Sequence, residues 1–468
     1  MALDHDRLRR WLQISVAAFL LSLATHGNFS GSGDAVHYMM IAHSIAFDRD
    51  LDVANDYADP GNLIQGGRLQ HEAHARPGRG GILRPVHDVG LPLVAAPYFV
   101  AAYLAAEHLT DRLPEAFRLR ARLDRWIMLR QLVGLGMILT TCALAGLFFD
   151  ASLEITSAPG ASFAGALLFS LSPPILSHSH VFFTEVPSAL LAFWAYRALR
   201  SAGGRFAGGL LPGLATGFLL LVHVRNLGLV IGLALLAWER LWRERPRAGA
   251  FAAGVAAMVA ARTALNFHLW GTFVTTPHAH VAPWPGFAAM AAAIGQRAMG
   301  LLLDQKHGLL LYAPLYLLAP AGWLVLRRRF PEVARELLLP TGAYLLFVLL
   351  PTVNVHGWRG GWSPAARFLV PIAPFLALPV VSALAATASR VVTGAIVVLQ
   401  GLLDLFFWGR PMLLWNDDTG SAAFLRALGG DSLAACFPTW DPVSARDLGI
   451  SILALAAWAV LTAWLARK

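Results

Sequence analysis

The feature that most constrains this chain is the alternation of long apolar runs with short clusters of arginine and lysine. Hydrophobic residues make up 57% of the 468 positions and charged residues only 14%, a balance far from that of soluble proteins. Within lipid, such runs can satisfy their backbone hydrogen bonds as helices. The sequence therefore predicts an all-α integral membrane protein that folds as a single polytopic domain over residues 1–468.

We predict about 12 transmembrane helices, several of them shorter than the ~20 residues that a straight span needs. The predicted spans are 11–27, 126–149, 161–181, 187–198, 209–223, 227–238, 248–267, 309–326, 337–353, 368–386, 391–407 and 450–465.

The apolar run 91–106 is treated differently from these spans. Counted as a full crossing, it would place the later arginine clusters on the wrong side of the membrane. We therefore predict a short juxtamembrane helix that lies at, or partly enters, the outer face. Residues 1–10 carry three arginines ahead of the first apolar run, and no small-residue cleavage site follows, so the first span is expected to remain uncleaved.

The formal net charge of +9 reflects membrane orientation better than nucleic-acid binding, because the basic residues are gathered between the apolar runs. We expect both termini to be cytoplasmic, in a multi-pass protein of the cell (inner) membrane. The clusters predicted to be cytoplasmic are 197–205, 239–247, 327–335 and 467–468.

With this orientation the long polar segments share the periplasmic or outer face. They include a first external loop over 28–90, a loop over 268–308, another over 354–367 and a C-terminal external loop over 409–448. The segment 112–125 also lies outside, against the usual charge bias, although acidic neighbours partly balance its arginines. Loops that share a face can build one site.

Two carboxylates stand at helix mouths on that face. Asp34 follows the first apolar run, and Glu185 follows a later one. A carboxylate at the edge of a membrane helix is costly to hold unpaired, so both are candidate functional residues. For Glu185 a purely structural alternative is capping of the helix that begins before Pro187.

The same loops carry cations close to predicted helix ends. Cations placed there suit a phosphate or diphosphate headgroup whose lipid tail lies between helices. Trp358 and Trp362 add aromatic faces that suit a sugar ring, although tryptophans at this depth also serve as membrane anchors. The predicted phosphate-binding residues are Arg225, Lys306, His307, Arg359 and Arg367.

In pattern and order these residues resemble the GT-C class of polytopic glycosyltransferases that use polyprenyl-phosphate sugars, in particular the bacterial mannosyl- and arabinosyl-type transferases. The resemblance runs from about residue 10 to about residue 400. The segments that carry it are Gly33-Asp34 with Tyr38, Pro85 to Pro97, Thr184-Glu185-Val186-Pro187, Arg225 at a helix break, Asp304 to Leu309 and Trp358 to Pro371.

The resemblance implies a GT-C fold with juxtamembrane helices in the first external loop. It also implies inverting transfer of a single hexose or pentose from a polyprenyl-phosphate donor to an acceptor hydroxyl on a lipid, a glycan or a protein. Asp34 would then be the general base, a role that suits a carboxylate next to the acceptor hydroxyl. Glu185 matches an acid of the family's second loop, and Tyr38 and His87 are predicted to contact the sugar or the acceptor.

The chain departs from metal-dependent relatives because Asp34 is followed by Ala35 and Val36 rather than by a second acid. We predict no cofactor, with a divalent metal as the less favoured alternative. The expected partners are the lipid-linked donor, a hydroxyl acceptor and membrane lipids, not nucleic acid. A lipid or sugar transporter or flippase remains the alternative function, since intramembrane charges serve those proteins equally. The sequence identifies neither the sugar nor the acceptor.

Overall fold

The computed structural model describes residues 5–26, 33–64, 69–201, 207–273, 283–352, 357–386, 390–416 and 420–466. The predicted basic cluster 467–468 lies outside these residues, as does part of the cluster 197–205. The described chain is overwhelmingly α-helical, which confirms the predicted helical membrane class.

Helices in the first half of the chain begin with a long amphiphilic segment and then alternate short loop helices with long apolar ones. Their bounds are α1 His5–His26, α2 Ala35–His43, α3 Ala54–Ala58, α4 Gly90–Leu109, α5 Glu115–Ala121, α6 Arg125–Thr156, α7 Pro159–Leu171, α8 Ile175–His178, α9 Glu185–Arg200, α10 Ala207–Val222 and α11 Leu227–Leu241. A short antiparallel hairpin, β1 Ala75–Pro77 with β2 Leu83–Pro85, precedes α4.

The second half has the same character, with two very short strands that pair across a long stretch of sequence. Its helices are α12 Arg245–Trp270, α13 Phe287–Leu303, α14 Leu309–Tyr312, α15 Ala319–Arg329, α16 Pro331–Leu349, α17 Ala373–Ala386, α18 Arg390–Gly409, α19 Ala423–Ala434 and α20 Ala445–Leu465. Strand β3 Ser363–Pro364 pairs antiparallel with β4 Trp415–Asn416.

Within the described residues, six segments are long and apolar enough to cross a membrane. They establish a multi-pass membrane protein, but the predicted number of twelve is not confirmed. The segments are Gly90–Arg112, Arg125–Thr156, Arg245–Trp270, Arg367–Ala386, Arg390–Gly409 and Ala445–Leu465.

Several predicted spans differ from the helices observed. The predicted span 161–181 is interrupted after α7, where Ser172 and two prolines precede α8. The predicted span 309–326 divides into α14, a 3₁₀ turn over Pro314–Leu318 and α15, because Pro314 cannot continue the hydrogen-bond ladder of α14. The loops predicted over 268–308 and 409–448 contain α13 and α19.

Helix α4 contains the run 91–106 that was predicted to be a juxtamembrane helix. It is 20 residues long, and by length and composition it could cross a membrane. Its side chains nevertheless contact the first loop and the beginning of α6. Tyr98 donates a hydrogen bond to the Leu132 carbonyl, and the Tyr103 hydroxyl accepts one from the Leu63 amide. Gly90 packs against the backbone of Leu221 at the end of α10.

Glycine allows α10 and α12 to pack with their backbones in close contact. A Cβ atom on Gly213 would lie 2.2 Å from the Phe251 carbonyl oxygen, and one on Gly209 would lie 2.1 Å from that of Arg247. Gly254 approaches α10 from the opposite side in the same way. Close backbone contact of this kind is how small residues associate helices within lipid, where apolar burial gives no advantage.

The end of the bundle away from Glu185 is held by ion pairs among the predicted cytoplasmic clusters. Glu336 of α16 is buried and contacts both Arg200 of α9 and Arg240 of α11. Arg7 of α1 binds Asp150 of α6, 2.8 Å away. These contacts gather basic residues of three separate helices, α1, α9 and α11, at one end of the bundle.

We predict that this end faces the cytoplasm and that the first loop faces outward. Single cysteines at Glu72 and Arg329, both exposed, would be placed in a background with Cys142→Ala and Cys436→Ser. In sealed right-side-out vesicles an impermeant thiol reagent should label position 72, whereas position 329 should react only after permeabilisation. The reverse labelling pattern would invert the topology.

Candidate active site

Asp34 lies immediately before α2, at a point where three loops come together. Gly33 precedes it with φ of +39°, and a Cβ atom there would stand 2.9 Å from the Trp362 carbonyl oxygen and 3.2 Å from the Phe183 ring. A residue with a side chain would be strained in this conformation and would also clash. The Gly33-Asp34 pair is thereby explained by a close approach of the first loop to two later ones.

Arg367 joins the two candidate carboxylates. Its Nη2 donates to Asp34 Oδ2 at 2.7 Å, and its Nε donates to Glu185 Oε1 at 2.6 Å. The third edge of the guanidinium donates from Nη1 to the Gly360 carbonyl at 3.0 Å, while the plane covers the Phe183 ring at 4.3 Å. The side chain is 6% exposed, so this arrangement is a buried, charge-assisted network.

Glu185 is the first residue of α9 and is 1% exposed. Thr184, not Glu185, occupies the N-cap position, so the capping alternative does not account for the carboxylate. Arg225 lies on the other side of Glu185, with Nη1 3.8 Å from Oε1, and its guanidinium covers the Phe368 ring at 3.8 Å. Two arginines from distant loops thus flank one buried acid.

The loop that carries Arg367 needs glycine to make its turns. Gly357, Gly360 and Gly361 all have φ between +65° and +91°, a region that residues with side chains rarely adopt. Ala366 is also left-handed, with φ of +58°, and it begins the 3₁₀ turn Arg367–Ile372. This sequence of turns directs the Gly360 carbonyl back toward the Arg367 side chain.

The electrostatics keep Asp34 charged. Burial alone would raise the pKa of Asp34. The charge and hydrogen bond of Arg367, together with the nearby His87 and His74, outweigh burial and hold the pKa well below its ordinary value. Its side chain is still 28% exposed, in contrast to that of Glu185. Of the two acids that Arg367 joins, Asp34 is the one that a solvent-borne or lipid-borne molecule can reach.

Histidines of the first loop lie next to Asp34. The His37 ring stacks on that of His74 with centroids 3.4 Å apart, and His74 Nδ1 lies 2.8 Å from His87 Nε2. Burial lowers the pKa of His37 to about 3, and neighbouring histidines add to this shift. Tyr38 is buried with its ring 4.9 Å from that of His87.

Asp34, His74 and His87 present ligand atoms within 4.8 Å of one another, a set that could contact a metal ion. Arg367 already neutralises the carboxylate of this set, however, so a divalent cation would compete with a buried guanidinium. The fit of these three residues to a metal ion is therefore partial.

Lys306 and His307 belong to a tight loop between α13 and α14. Asp304 organises it, since its Oδ1 accepts from the amides of Lys306 and His307 and its Oδ2 accepts from the amide of Trp440. The His307 carbonyl accepts from the Ala366 amide at 3.0 Å. This bond connects the loop directly to the residue before Arg367.

Arg359, Trp358 and Trp362 belong to the loop that carries Arg367, and their side chains differ in how far they are exposed to solvent. Arg359 pairs with Asp441 at 3.0 Å, and Trp358 is buried against Gly300 of α13. Trp362 is 43% exposed, with its ring 5.7 Å from that of Trp415. The structure thus brings Asp34, Glu185, Arg225 and Arg367 into one network, with the other residues on its borders.

A second ion pair, which was not predicted from the sequence, supports this network. Asp88 Oδ2 accepts from the Val224 amide at 2.7 Å, and its Oδ1 pairs with Arg262. This contact fixes the turn that carries Arg225 to the end of the first loop. The position of Asp88 directly before the apolar α4 was the available signal, since an acid at a membrane helix mouth needs a partner.

Comparisons with known proteins give little beyond this geometry. No family model matches the chain, and no curated protein matches it. A solved structure of the archaeal oligosaccharyltransferase AglB from Archaeoglobus fulgidus, in complex with an inhibitory peptide and a dolichol-phosphate, overlaps 91% of this chain at 12% identity with a TM-score of 0.39. The overlap covers 55% of the AglB chain, and a likeness this loose carries no conclusion about activity.

The Arg367 network makes a strong prediction about stability. Arg367→Gln leaves the buried Glu185 without its main partner, and Glu185→Gln leaves the arginine charge less compensated. Each single change should therefore cost on the order of 3–5 kcal/mol. The double variant should cost less than the sum, because neither uncompensated charge then remains at the Glu185 contact. Thermal unfolding in detergent, followed by tryptophan fluorescence, measures all three.

If the double variant instead cost as much as the two single variants together, Arg367 and Glu185 would not stabilise each other. Arg335→Gln is the matched control, because Arg335 is 63% exposed and pairs with Glu239 at the other end of the bundle. A surface ion pair of this kind contributes about 0–1 kcal/mol, so its loss should hardly change the unfolding midpoint.

Proposed function

We propose that the chain is an inverting glycosyltransferase that moves one sugar from a polyprenyl-phosphate donor to an acceptor hydroxyl at the outer face of the membrane. The observation that carries this proposal is the position of Asp34. Its side chain is partly exposed to solvent, whereas Glu185, the other acid of the network, is buried. The guanidinium groups of Arg225 and Arg367 are held against the rings of Phe368 and Phe183. This arrangement suits a catalytic role for Asp34 better than a purely structural one.

In the proposed step the acceptor oxygen attacks the anomeric carbon of the donor sugar. The bond from that carbon to the phosphate oxygen breaks, and its electron pair leaves with the lipid phosphate. The acceptor's proton passes to the Asp34 carboxylate. Because its pKa is low, Asp34 is a weak base, so we assign to it the orientation of the hydroxyl and late acceptance of the proton.

Arg367 and Glu185 act through Asp34 in this scheme. The three N–H bonds of Arg367 to Asp34, Glu185 and Gly360 fix the guanidinium, and that in turn fixes the direction of the Asp34 carboxylate. We therefore propose a positioning role for Arg367, rather than direct binding of phosphate. Glu185 is proposed to hold Arg367 in place from its buried position at the start of α9.

Arg225, Lys306, His307 and Arg359 remain the proposed contacts of the donor phosphate. Positive charge there would stabilise the negative charge that develops on the departing phosphate. A largely apolar cleft of ~430 Å³ is lined in part by residues that follow His307 in the sequence, and we propose it as a place for the lipid tail. Its lining includes Leu309, Leu310, Tyr316, Trp323 and Trp458.

For the sugar and the acceptor we propose contacts with the aromatic and histidine side chains that border Asp34. Trp362 is the most accessible of them, so it is the first candidate for stacking on a sugar ring. His87 lies at the edge of the Asp34 cluster, while Tyr38 and Trp358 are buried and would shape the pocket from behind.

Asp34→Asn should abolish transfer while the protein still folds and binds donor. The amide keeps the size of the side chain and loses the proton acceptor, so turnover should fall ~10²-fold or more. The assay incubates purified protein and acceptor extract with a radiolabelled polyprenyl-phosphate sugar and measures free polyprenyl phosphate. Asp59→Asn, in the same loop and exposed, is the matched control and should keep full activity.

Turnover of Asp34→Asn within a few-fold of the wild type would reject the assignment of the base. Movement of the labelled lipid across vesicles without release of polyprenyl phosphate would instead favour the transporter or flippase alternative, because a transporter leaves its substrate chemically unchanged.

The proposed phosphate contacts are tested by truncation. Arg225→Ala, Lys306→Ala and Arg359→Ala should each weaken donor binding by roughly 10- to 100-fold, since a charge-assisted hydrogen bond contributes on the order of 1.5–3 kcal/mol. Binding is measured by titration of labelled donor into detergent-solubilised protein whose unfolding midpoint is checked first. Arg335→Ala, at the opposite end, serves as the control. Wild-type affinity in all three folded variants would place the phosphate elsewhere.

A further inference from the structure

A second group of titratable side chains lies in the first loop, separate from the Asp34 network. It is formed where α2 ends in a π-helical turn over Ser44–Asp48 and the chain then returns as α3. His43, Asp48 and Asp56 present one ligand atom each, and these atoms all lie within 4.8 Å of one another. We propose that this group binds a divalent transition-metal cation and thereby fixes the end of α2.

The strongest support is an orphaned oxygen. Asp56 is only 2% exposed, and its Oδ1 lies 2.6 Å from His43 Nδ1. Its Oδ2 is buried and makes no hydrogen bond of good geometry among the residues that the structure describes, because the neighbouring Ser44 hydroxyl donates to Asp50 instead. A buried carboxylate oxygen without a partner is costly, and a bound cation would satisfy it.

In the part of the chain that the structure describes, Asp56 has no arginine or lysine partner to balance its charge. The buried acids Glu185 and Glu336 each contact arginine, whereas Asp56 contacts His43. Among the described residues, no arginine or lysine forms an ion pair with any of the five aspartates between positions 48 and 59.

The ligand chemistry favours a cation that accepts nitrogen as well as oxygen. Asp48, Asp50 and Asp52 have the spacing that opens a calcium-binding loop, but the position that needs glycine in such loops holds the buried Val53. The side chains of Asp50 and Asp52 instead accept from backbone amides two residues further on. One imidazole and two carboxylates suit Zn²⁺ or Mn²⁺ better than Ca²⁺.

The proposed cation would act on the shape of the first loop rather than on the reaction. Helix α2 has nine residues, so about 13 Å separate its start beside Asp34 from its end at His43. Tyr57, next to Asp56, places its hydroxyl 2.6 Å from His37 Nδ1, in the first turn of α2. A cation at His43 and Asp56 would therefore pin α3 against the same helix that Asp34 precedes.

The test uses the full-length protein in detergent, treated with EDTA and then titrated with Zn²⁺, Mn²⁺ or Ca²⁺ while metal content and the unfolding midpoint are measured. We expect one equivalent of Zn²⁺ or Mn²⁺ to bind and to raise the midpoint, since a ligand that binds only the folded state stabilises it. Asp48→Asn and His43→Gln should weaken binding by at least ~10-fold. Asp48 is exposed, so its variant should fold even where His43→Gln does not.

Two control variants complete the design. Asp59→Asn removes an exposed acid of the same loop and should leave the affinity for Zn²⁺ and Mn²⁺ unchanged. His87→Gln removes one ligand atom of the other set, Asp34, His74 and His87, and should also leave that affinity unchanged. Wild-type affinity in Asp48→Asn, loss of binding in His87→Gln alone, preference for Ca²⁺, or failure of Zn²⁺ and Mn²⁺ to bind would each overturn the proposal. No donor or acceptor is needed, so these outcomes are independent of the proposed transfer reaction.

Discussion

The arrangement of the loops around Asp34 depends on one buried guanidinium. Arg367 is the common partner of Asp34 and Glu185, which come from two other loops, and of the Gly360 carbonyl in its own loop. To bury such a charge is expensive unless every donor is satisfied. Here each of the three guanidinium nitrogens donates one hydrogen bond and the Phe183 ring covers the plane, so a single side chain fixes the three loops with respect to one another.

The glycines near this arginine are a consequence of the same constraint. For Arg367 to reach both acids, the first loop must approach the backbone near Trp362, and Gly33 is the residue at which they touch. On the other side, Gly360 adopts φ of +91° and directs its carbonyl to the guanidinium. The glycine-rich motifs of the sequence thus have a conformational cause that does not require direct contact with a substrate.

The apolar pattern predicted the class of fold and many helices, because hydrophobic length is a local property that lipid imposes directly. It failed where the signal is weak or interrupted. Helix α13 was missed because Gln296 and Arg297 interrupt its apolar run, and α19 because Gly429 and Gly430 fall inside it. The individual candidate residues could be chosen from their positions at helix mouths. Their pairing could not, since Arg367 lies 182 residues from Glu185 and 333 from Asp34.

Helix α9 connects the two charged ends of the molecule and is suited to both. Its first turn carries Glu185 and its last turn carries Arg197 and Arg200, which is the distribution that the helix dipole favours. Glu185 is held by Arg367 and Arg225 at one end, while Arg200 is held by Glu336 at the other. Because sixteen helical residues span about 24 Å, one rigid element fixes the depth of the site relative to the basic end of the bundle. We expect positive charges at that basic end to orient the chain in the membrane. Helix α9 would then set the depth at which Asp34 lies.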